Sequence, residues 1–301
     1  MGRLIAIVLG SAAGGGFPQW NCLCPVCRLA WAGDRRVKPR TQAGLAVSAD
    51  GRTWVLLNAS PDLRSQLQAT KELHPRHPPR ESPVAAVVLT GAEVDQTAGL
   101  LSLRERQPFA LYATAETQAA LAQNPMFEVL AADVVKRATV TPGQSLALPG
   151  GLEAELFAVP GKAPLYLEKE AGTETRADGS TVGVELRAGG RRLLYLPAAA
   201  AVPAALADRL KDADVVLFDG TLFTDDEMIV TGTGTKTGRR MGHMPIDGAG
   251  GSLAALAGLK GRRIYIHINN TNPILIDSAP ERRKVEAAGW EVAEDGMRIE
   301  L

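Results

Sequence analysis

Three residues of this chain are conspicuous by type and spacing: Cys22, Cys24 and Cys27 in the run Cys22-Leu23-Cys24-Pro25-Val26-Cys27, which follows the glycine-rich segment Gly10 to Gly16. They are the only cysteines in 301 residues. An odd, clustered set does not make a disulfide framework, whereas three thiolates at this spacing suit one soft cation. The pattern reads as a zinc knuckle near residues 20–28 that lacks a fourth ligand. His267, an Asn270 side-chain oxygen or a carboxylate brought in by folding are the candidates for it. Cys24 and Cys27 alone meet the spacing of a redox pair. A structural metal is preferred, because a redox motif needs only two of the three sulfurs.

A second set carries harder donors. Asp95, Asp219, His243 and His267 are ligand types able to hold iron or zinc if folding brings them together, and His243 and His267 are also acid/base groups. Each has a structural alternative: Asp95 can cap the helix expected after it, and His267 can be a core histidine. Of four histidines, however, two (His74, His77) lie in a proline-rich loop and the other two in glycine- or asparagine-rich contexts, which favours a functional reading for the latter. The run Gly232 to Gly238 lacks the spacing of a phosphate loop. Its Lys236, with Arg239 and Arg240, instead suits the carboxylates of an acidic substrate.

These residues need rigid elements to hold them. Apolar runs at Leu4–Leu9, Thr53–Leu57, Val84–Leu89, Arg192–Leu196, Asp214–Phe218 and Arg263–Ile268 read as strands covered on both faces. Four strand ends are loaded with polar groups: Glu93 to Gln96, Asp219 to Thr221, His267 to Asn272, and Asn58 to Asp62. Chemistry sits at such ends in α/β folds, because the sheet holds the side chain while the loop stays open to a ligand. Helices are predicted over Thr97–Glu105, Ala113–Gln123, Val202–Leu210, Ser252–Leu259 and Pro280–Ala288, the last announced by Ser278 and Pro280. Trp290–Ala293 and Met297–Leu301 around Asp295-Gly296 predict a hairpin. His74–Pro83 and Glu168–Gly179 read as surface loops. Strands and helices interleave without a break, so residues 1–301 are read as one α/β domain.

Composition narrows the function classes. Basic and acidic residues balance at 33 each, so the electrostatic footprint of a general nucleic-acid binder is absent. The first ten residues carry too short an apolar stretch for a signal peptide or a membrane span and read as a buried strand. With thiols that must stay reduced, the expected compartment is the cytoplasm, without membrane insertion.

Five separated segments, Gly10 to Cys22, Asn58 to Asp62, Asp95 to Glu105, Gly234 to His243 and His267 to Leu275, closely resemble those of the coenzyme PQQ (pyrroloquinoline quinone) synthesis protein B family of the metallo-β-lactamase superfamily. The resemblance runs in order through the whole chain to Met297. It implies an α/β (α+β) four-layer αββα sandwich with the active site along one edge of the two sheets. The superfamily metal motif His-x-His-x-Asp-His falls on Gly91, Glu93, Asp95 and Gln96, so only the aspartate survives, and Gln96 replaces a histidine that family members carry. A further metal histidine and a bridging aspartate fall on Gly161 and Pro197, while His267 matches the last metal histidine. In related phosphodiesterases a histidine completes the zinc knuckle at the position of Asn270.

The resemblance implies a cytoplasmic enzyme that uses iron and dioxygen to hydroxylate the tyrosine of a Glu-Tyr intermediate, a small-molecule or short-peptide PQQ precursor. Other PQQ biosynthesis proteins are the expected partners. On that reading Cys22, Cys24 and Cys27, with Asn270 as the fourth candidate, hold a structural zinc ion. Glu93, Asp95 and His267 offer the active-site ligands, Asp219 and His243 add ligands or acid/base groups, and Lys236, Arg239 and Arg240 orient carboxylates. Loss of most superfamily ligands favours the alternative, a soluble carrier that assists transport of PQQ or its precursor to the periplasm. Hydrolysis by a dinuclear centre is disfavoured, because about six ligands are needed and the usual positions lack them.

Overall fold

A computed structural model of the chain describes residues 3–168 and 174–301. The expected loop from Glu168 to Gly179 thus falls partly outside the described residues. Six strands come first: β1 (Ile5–Gly10), β2 (Gly44–Ser48), β3 (Trp54–Leu57), β4 (Val84–Val88), β5 (Phe109–Ala113) and β6 (Val135–Thr139). Then follow β7 (Ser145–Leu148), β8 (Leu152–Ala158), β9 (Val182–Ala188), β10 (Arg191–Leu196), β11 (Val215–Asp219), β12 (Arg262–Ile266), β13 (Trp290–Val292) and β14 (Arg298–Glu300).

They form two seven-stranded sheets in the orders β14-β1-β2-β3-β4-β5-β6 and β13-β12-β11-β10-β9-β8-β7. The sheets are built alike. Antiparallel pairings on one side give way to parallel ones from β3 to β6 and from β10 to β13. Alternate residues of each strand point to opposite faces, and here both faces are buried. Val8, Leu57, Val88, Leu186, Leu217 and Ile264 meet in the layer between the sheets. Leu56, Val87 and Leu111 face Leu63 and Leu121 of the outer helices Leu63–Ala69 and Ala115–Ala122. Leu194 and Phe218 face Leu206 and Val285 of the helices Ala204–Leu210 and Pro280–Ala287. The result is the four-layer αββα sandwich.

Two local readings are corrected. The helix expected over Thr97–Glu105 is one turn, Val94–Thr97, followed by a tighter 3₁₀ stretch, Ala98–Leu103. The backbone there packs closely on its neighbour, since a Cβ at Gly99 would lie 2.0 Å from the Ser60 carbonyl oxygen. The C-terminal segments are not a hairpin. β13 pairs with β12 in the second sheet and β14 with β1 in the first, so the Asp295-Gly296 turn carries the chain from one sheet to the other. Asp295 anchors that crossing by accepting hydrogen bonds from Ser11 Oγ (2.9 Å) and from the amide and hydroxyl of Thr41 (2.7 and 2.8 Å).

Candidate functional site

The loaded strand ends meet at one edge of the sandwich. Asp219 is the last residue of β11 and His267 follows β12 directly. Backbone bonds from Ile268 N to the Ser11 carbonyl (2.9 Å) and from Ala13 N to the Ile268 carbonyl (2.8 Å) draw the glycine-rich loop of the first sheet onto the exit of β12. Asp95, on the turn after β4, thereby faces His267 across the two sheets, Oδ2 to Nε2 2.9 Å. His243 Nδ1 lies 2.7 Å from Asp219 Oδ2, and the two imidazoles stack with centroids 5.1 Å apart. All four residues expected to carry the chemistry are brought together.

Thr221, to which the sequence assigned no role, locks the arrangement. Its hydroxyl donates to Asp219 Oδ1 (2.6 Å) and lies 2.8 Å from His267 Nδ1 and 3.1 Å from His243 Nδ1. The fully buried Asp219 carboxylate also accepts the amides of Ala199 (2.9 Å) and Thr221 (3.0 Å). Because Thr221 gives its proton to Asp219, it accepts one from His267 Nδ1. A carboxylate can only accept, so Asp95 takes a second proton from Nε2. Hydrogen-bond partners at both ring nitrogens favour the charged form of His267. Burial opposes that charge, but the Asp95 hydrogen bond and the surrounding carboxylates overcome it and raise the His267 pKa, while burial of Asp95 is likewise overcome by His267 and its pKa falls. His267 holds a left-handed backbone conformation at φ 59°, a strained position for a side chain of this size.

The group forms the floor of a cleft of about 580 Å³ whose walls include Glu93, Lys162, Tyr166 and Met228. Among the described residues, two sets of three ligand-type side chains have all their donor atoms within 4.8 Å of one another: Asp219, His243 and His267, and the three cysteines. The first is a borderline set of two imidazoles and a carboxylate, with Asp95 as a fourth donor. A divalent cation there would replace the Nε2 proton of His267.

Glu93 stands apart from this set. Its carboxylate accepts from Lys162 Nζ (3.3 Å) and from the Leu165 amide (3.2 Å), which turns it toward the opposite wall. The superfamily histidine positions are also filled. A Cβ at Gly91 would lie 2.6 Å from Gln96 Oε1, and one at Gly161 2.3 Å from Thr181 Oγ1, so neither place has room for a side chain. Gln96 is buried and its Oε1 accepts the Glu93 amide (3.2 Å), capping the Val94–Thr97 turn. Of the three predicted cations, Lys236 reaches the cleft region and Arg240 stands 3.9 Å from Glu168. Arg239 instead bonds the carbonyls of Ala249 (3.4 Å) and Gly250 (3.1 Å) and faces solvent. Asn58 and Asp62 are scaffold. Asn58 bridges to Thr90 (2.8 and 2.9 Å), and Asp62 holds Gln42 through its amide and side chain (2.9 and 3.0 Å).

The cysteines lie beyond the floor on the second sheet's side. Cys24 and Cys27 are buried and Cys22 half-buried. Cys24 caps the short helix Pro25–Trp31, its sulfur accepting the Cys27 amide (3.4 Å). The hydrogen bond from the Cys27 thiol, against an opposing effect of burial, lowers the Cys24 pKa and favours its thiolate. Asn270 closes the fourth side: its side-chain amide faces Cys22 (3.2 Å) and Cys27 (3.3 Å). The amide nitrogen is the end that faces the sulfurs, whereas only the oxygen end would ligate a metal. Nearby, burial pushes the Glu227 carboxyl up to about 7, and it bonds Thr271 Oγ1 (2.5 Å) and the Phe223 amide (2.7 Å).

The comparisons with known proteins agree with this architecture. Residues 53–268 match the β-lactamase superfamily domain. The chain is 57% identical over 300 residues to coenzyme PQQ synthesis protein B of Methylobacterium nodulans, covering 98% of this chain and 99% of that protein. It is 54% identical over 299 residues to the protein of the same name in Methylorubrum extorquens, with the same coverage. Among solved structures, a Zn²⁺-bound PqqB from Methylobacterium extorquens superposes with a TM-score of 0.97 at 53% identity, over 99% of this chain and 100% of that one. A diphosphatase of the PhnP family shares the fold alone, at TM-score 0.69 and 22% identity over 99% and 97% of the two chains. Relatives above half identity across nearly the whole length, with the fold in common, decide membership: the chain belongs to the coenzyme PQQ synthesis protein B family of the β-lactamase superfamily.

Proposed function

We propose that this chain, acting as one cytoplasmic domain, serves pyrroloquinoline quinone biosynthesis as an oxygen-using hydroxylase of the tyrosine ring of a Glu-Tyr intermediate. The observation that carries the reading is the pair of carboxylate–imidazole contacts, Asp95–His267 and Asp219–His243, set 2.9 and 2.7 Å apart at the floor of a cleft. Asp95, His267, Asp219 and His243 would hold ferrous iron, which supplies the activation of dioxygen when bound. One oxygen atom enters the ring and the other leaves as water, with two electrons from an external reductant. The chain's own work is positional. Asp219 and Thr221 fix the two imidazole rings, and Asp95 is aimed at the Nε2 edge of His267. Lys162 and Lys236 offer charge to the intermediate's carboxylates.

A structural zinc ion at Cys22, Cys24 and Cys27 fits the soft donor set and the thiolate at Cys24, and a relative is known in a Zn²⁺-bound form. The compartment reading rests on these reduced thiols. Among the described residues, no helix is long and apolar enough to cross a membrane.

A second reading, a carrier for PQQ or its precursor, draws on Gln96, which is spent on capping where family members have a histidine. Loading the protein with ferrous iron under anaerobic conditions, then exposing it with the Glu-Tyr substrate to oxygen, separates the two by mass spectrometry. Gain of one oxygen atom that disappears in Asp95→Ala is the expected result. Tight binding without turnover under any metal overturns the hydroxylase reading in favour of the carrier, and release of a fragment would mean hydrolysis.

A further inference from the structure

Above the cleft floor, the cations set against the intermediate's carboxylates belong to a larger charge cluster. Lys162 is nearly buried, with 9% of its side chain exposed, and its ammonium is shared between Glu93 (3.3 Å) and Glu168 (2.8 Å). Its stem runs across Gly242, next to His243, since a Cβ at Gly242 would lie 3.0 Å from Lys162 Cγ. Glu168 is itself 12% exposed and also meets Lys236 (3.4 Å) and Arg240 (3.9 Å) through Oε2. Among the described residues, three cations face two carboxylates, and Arg240 Nη1 is buried and has no partner.

The two carboxylates are held differently. Glu93 is built in, because it begins the Val94–Thr97 turn and accepts the Leu165 amide as well as Lys162. Glu168 ends the short 3₁₀ stretch Leu165–Leu167 and, among the described residues, its carboxylate is held only by the three cations. The stretch rests on the cleft wall through Tyr166, whose hydroxyl donates to the Ala92 carbonyl (2.8 Å). Leu165 and Tyr166 keep exposures of 61% and 42%, so this wall presents apolar surface beside the cations. An anion with a flat apolar body and a carboxylate at its edge matches both features.

We propose that Lys162, Lys236 and Arg240 form a carboxylate subsite at the rim of the cleft, that Glu168 occupies it as an internal carboxylate, and that a carboxylate of an aromatic polycarboxylate ligand exchanges with Glu168 on binding. Exchange rather than addition follows from burial: a nearly buried ammonium needs its two carboxylates, and a one-for-one replacement leaves Lys162 paired throughout. The internal carboxylate lowers apparent affinity by the fraction of time that it covers the cations, so removing it unmasks the subsite. The choice of an aromatic polycarboxylate rests on the function proposed above, whereas the subsite rests on the residues alone.

Two probes keep these apart: pyrroloquinoline quinone, and benzene-1,3,5-tricarboxylate as a plain polycarboxylate. Binding is read by titration calorimetry on the full chain at two salt concentrations. Glu168→Gln is expected to tighten both probes by about tenfold. Lys162→Met should weaken both by about tenfold, with Lys162→Arg restoring most of the loss, and wild-type binding should fall as salt rises. Tightening for the tricarboxylate alone keeps the subsite and overturns the quinone as its ligand. If Glu168→Gln is soluble, folded by circular dichroism and binds both probes no tighter than wild type, the proposal is overturned. Absence of binding by every variant overturns it too. Should Glu168→Gln fail to fold, Glu168→Asp, which draws the carboxylate back by one methylene, provides the same comparison.

Discussion

The hydroxyl of Thr221 does more for the candidate centre than any of the ligand-type residues does for another. Among the described residues it is the one atom within hydrogen-bond reach of Asp219, His243 and His267 together, at 2.6, 3.1 and 2.8 Å. Thr221→Val keeps the shape and deletes those bonds, leaving His267 Nδ1 buried without a partner. A loss of about 1–3 kcal/mol in stability is expected from that unmade bond, read by urea denaturation. The metal affinity of the centre should fall with it, because ring orientation is what such a partner sets. Unchanged stability and unchanged affinity would mean that the rings are held by packing alone. Thr221 was hidden in the sequence because its value lies in joining Asp219 to two histidines that are distant along the chain. The ligand types themselves were legible: an aspartate or histidine at the end of a buried strand is rigidly aimed, as Asp219 and His267 are, and Asp95 lies on the turn that follows β4.

At the scale of elements, short pieces with polar jobs stand where regular structure was expected. The turn Val94–Thr97 owes its place to Gln96, which caps it, and to Gly91 and Gly161, whose missing side chains let the Gln96 amide and the Thr181 hydroxyl close in. This local packing explains why the usual superfamily ligands are absent without leaving holes. The helix Pro25–Trp31 is likewise too short to be stable alone and begins on Cys24, which is at once its cap and a metal-type donor. Cys24→Ser should therefore reduce bound zinc by about one ion per chain, measured by atomic emission. It should also lower the melting temperature in zinc-replete buffer by several degrees, an effect that chelator-treated wild type reproduces. Equal zinc content in variant and wild type would show that the knuckle does not hold the ion.

Across the whole molecule, the two like-built sheets leave buried charge on one outer face. Glu185 of β9, 1% exposed, bonds Arg187 (2.6 Å), Arg192 (2.8 Å) and Arg209 (2.8 Å). Burial alone would raise its pKa, but Arg192 and Arg187 outweigh that and hold it below the ordinary carboxylate range. A depressed folded-state pKa contributes stability that is fully present above the unfolded value of about 4.3 and is lost as pH falls through the lower folded value. Melting temperature should thus decline below about pH 4, and Glu185→Gln should flatten that decline while lowering stability at neutral pH. The neutral-pH cost is less than the about 3–5 kcal/mol of a fully buried pair, since the guanidiniums reach water. An identical acid limb in the variant would assign the pH dependence elsewhere. At this scale the division between chain and fold is clear. Composition, the apolar runs, the cysteine spacing and the family motifs were sufficient for class, family and the identity of the candidate ligands, because those depend on local periodicity and residue chemistry. Which sheet received β13 and β14, which way Glu93 and Arg239 turned, and that Lys162, Glu168 and Thr221 matter were decided only in three dimensions. Most depend on partners far along the chain, and even the Lys162–Glu168 pair, closer in sequence, is joined across irregular structure, about which sequence periodicity carries no information.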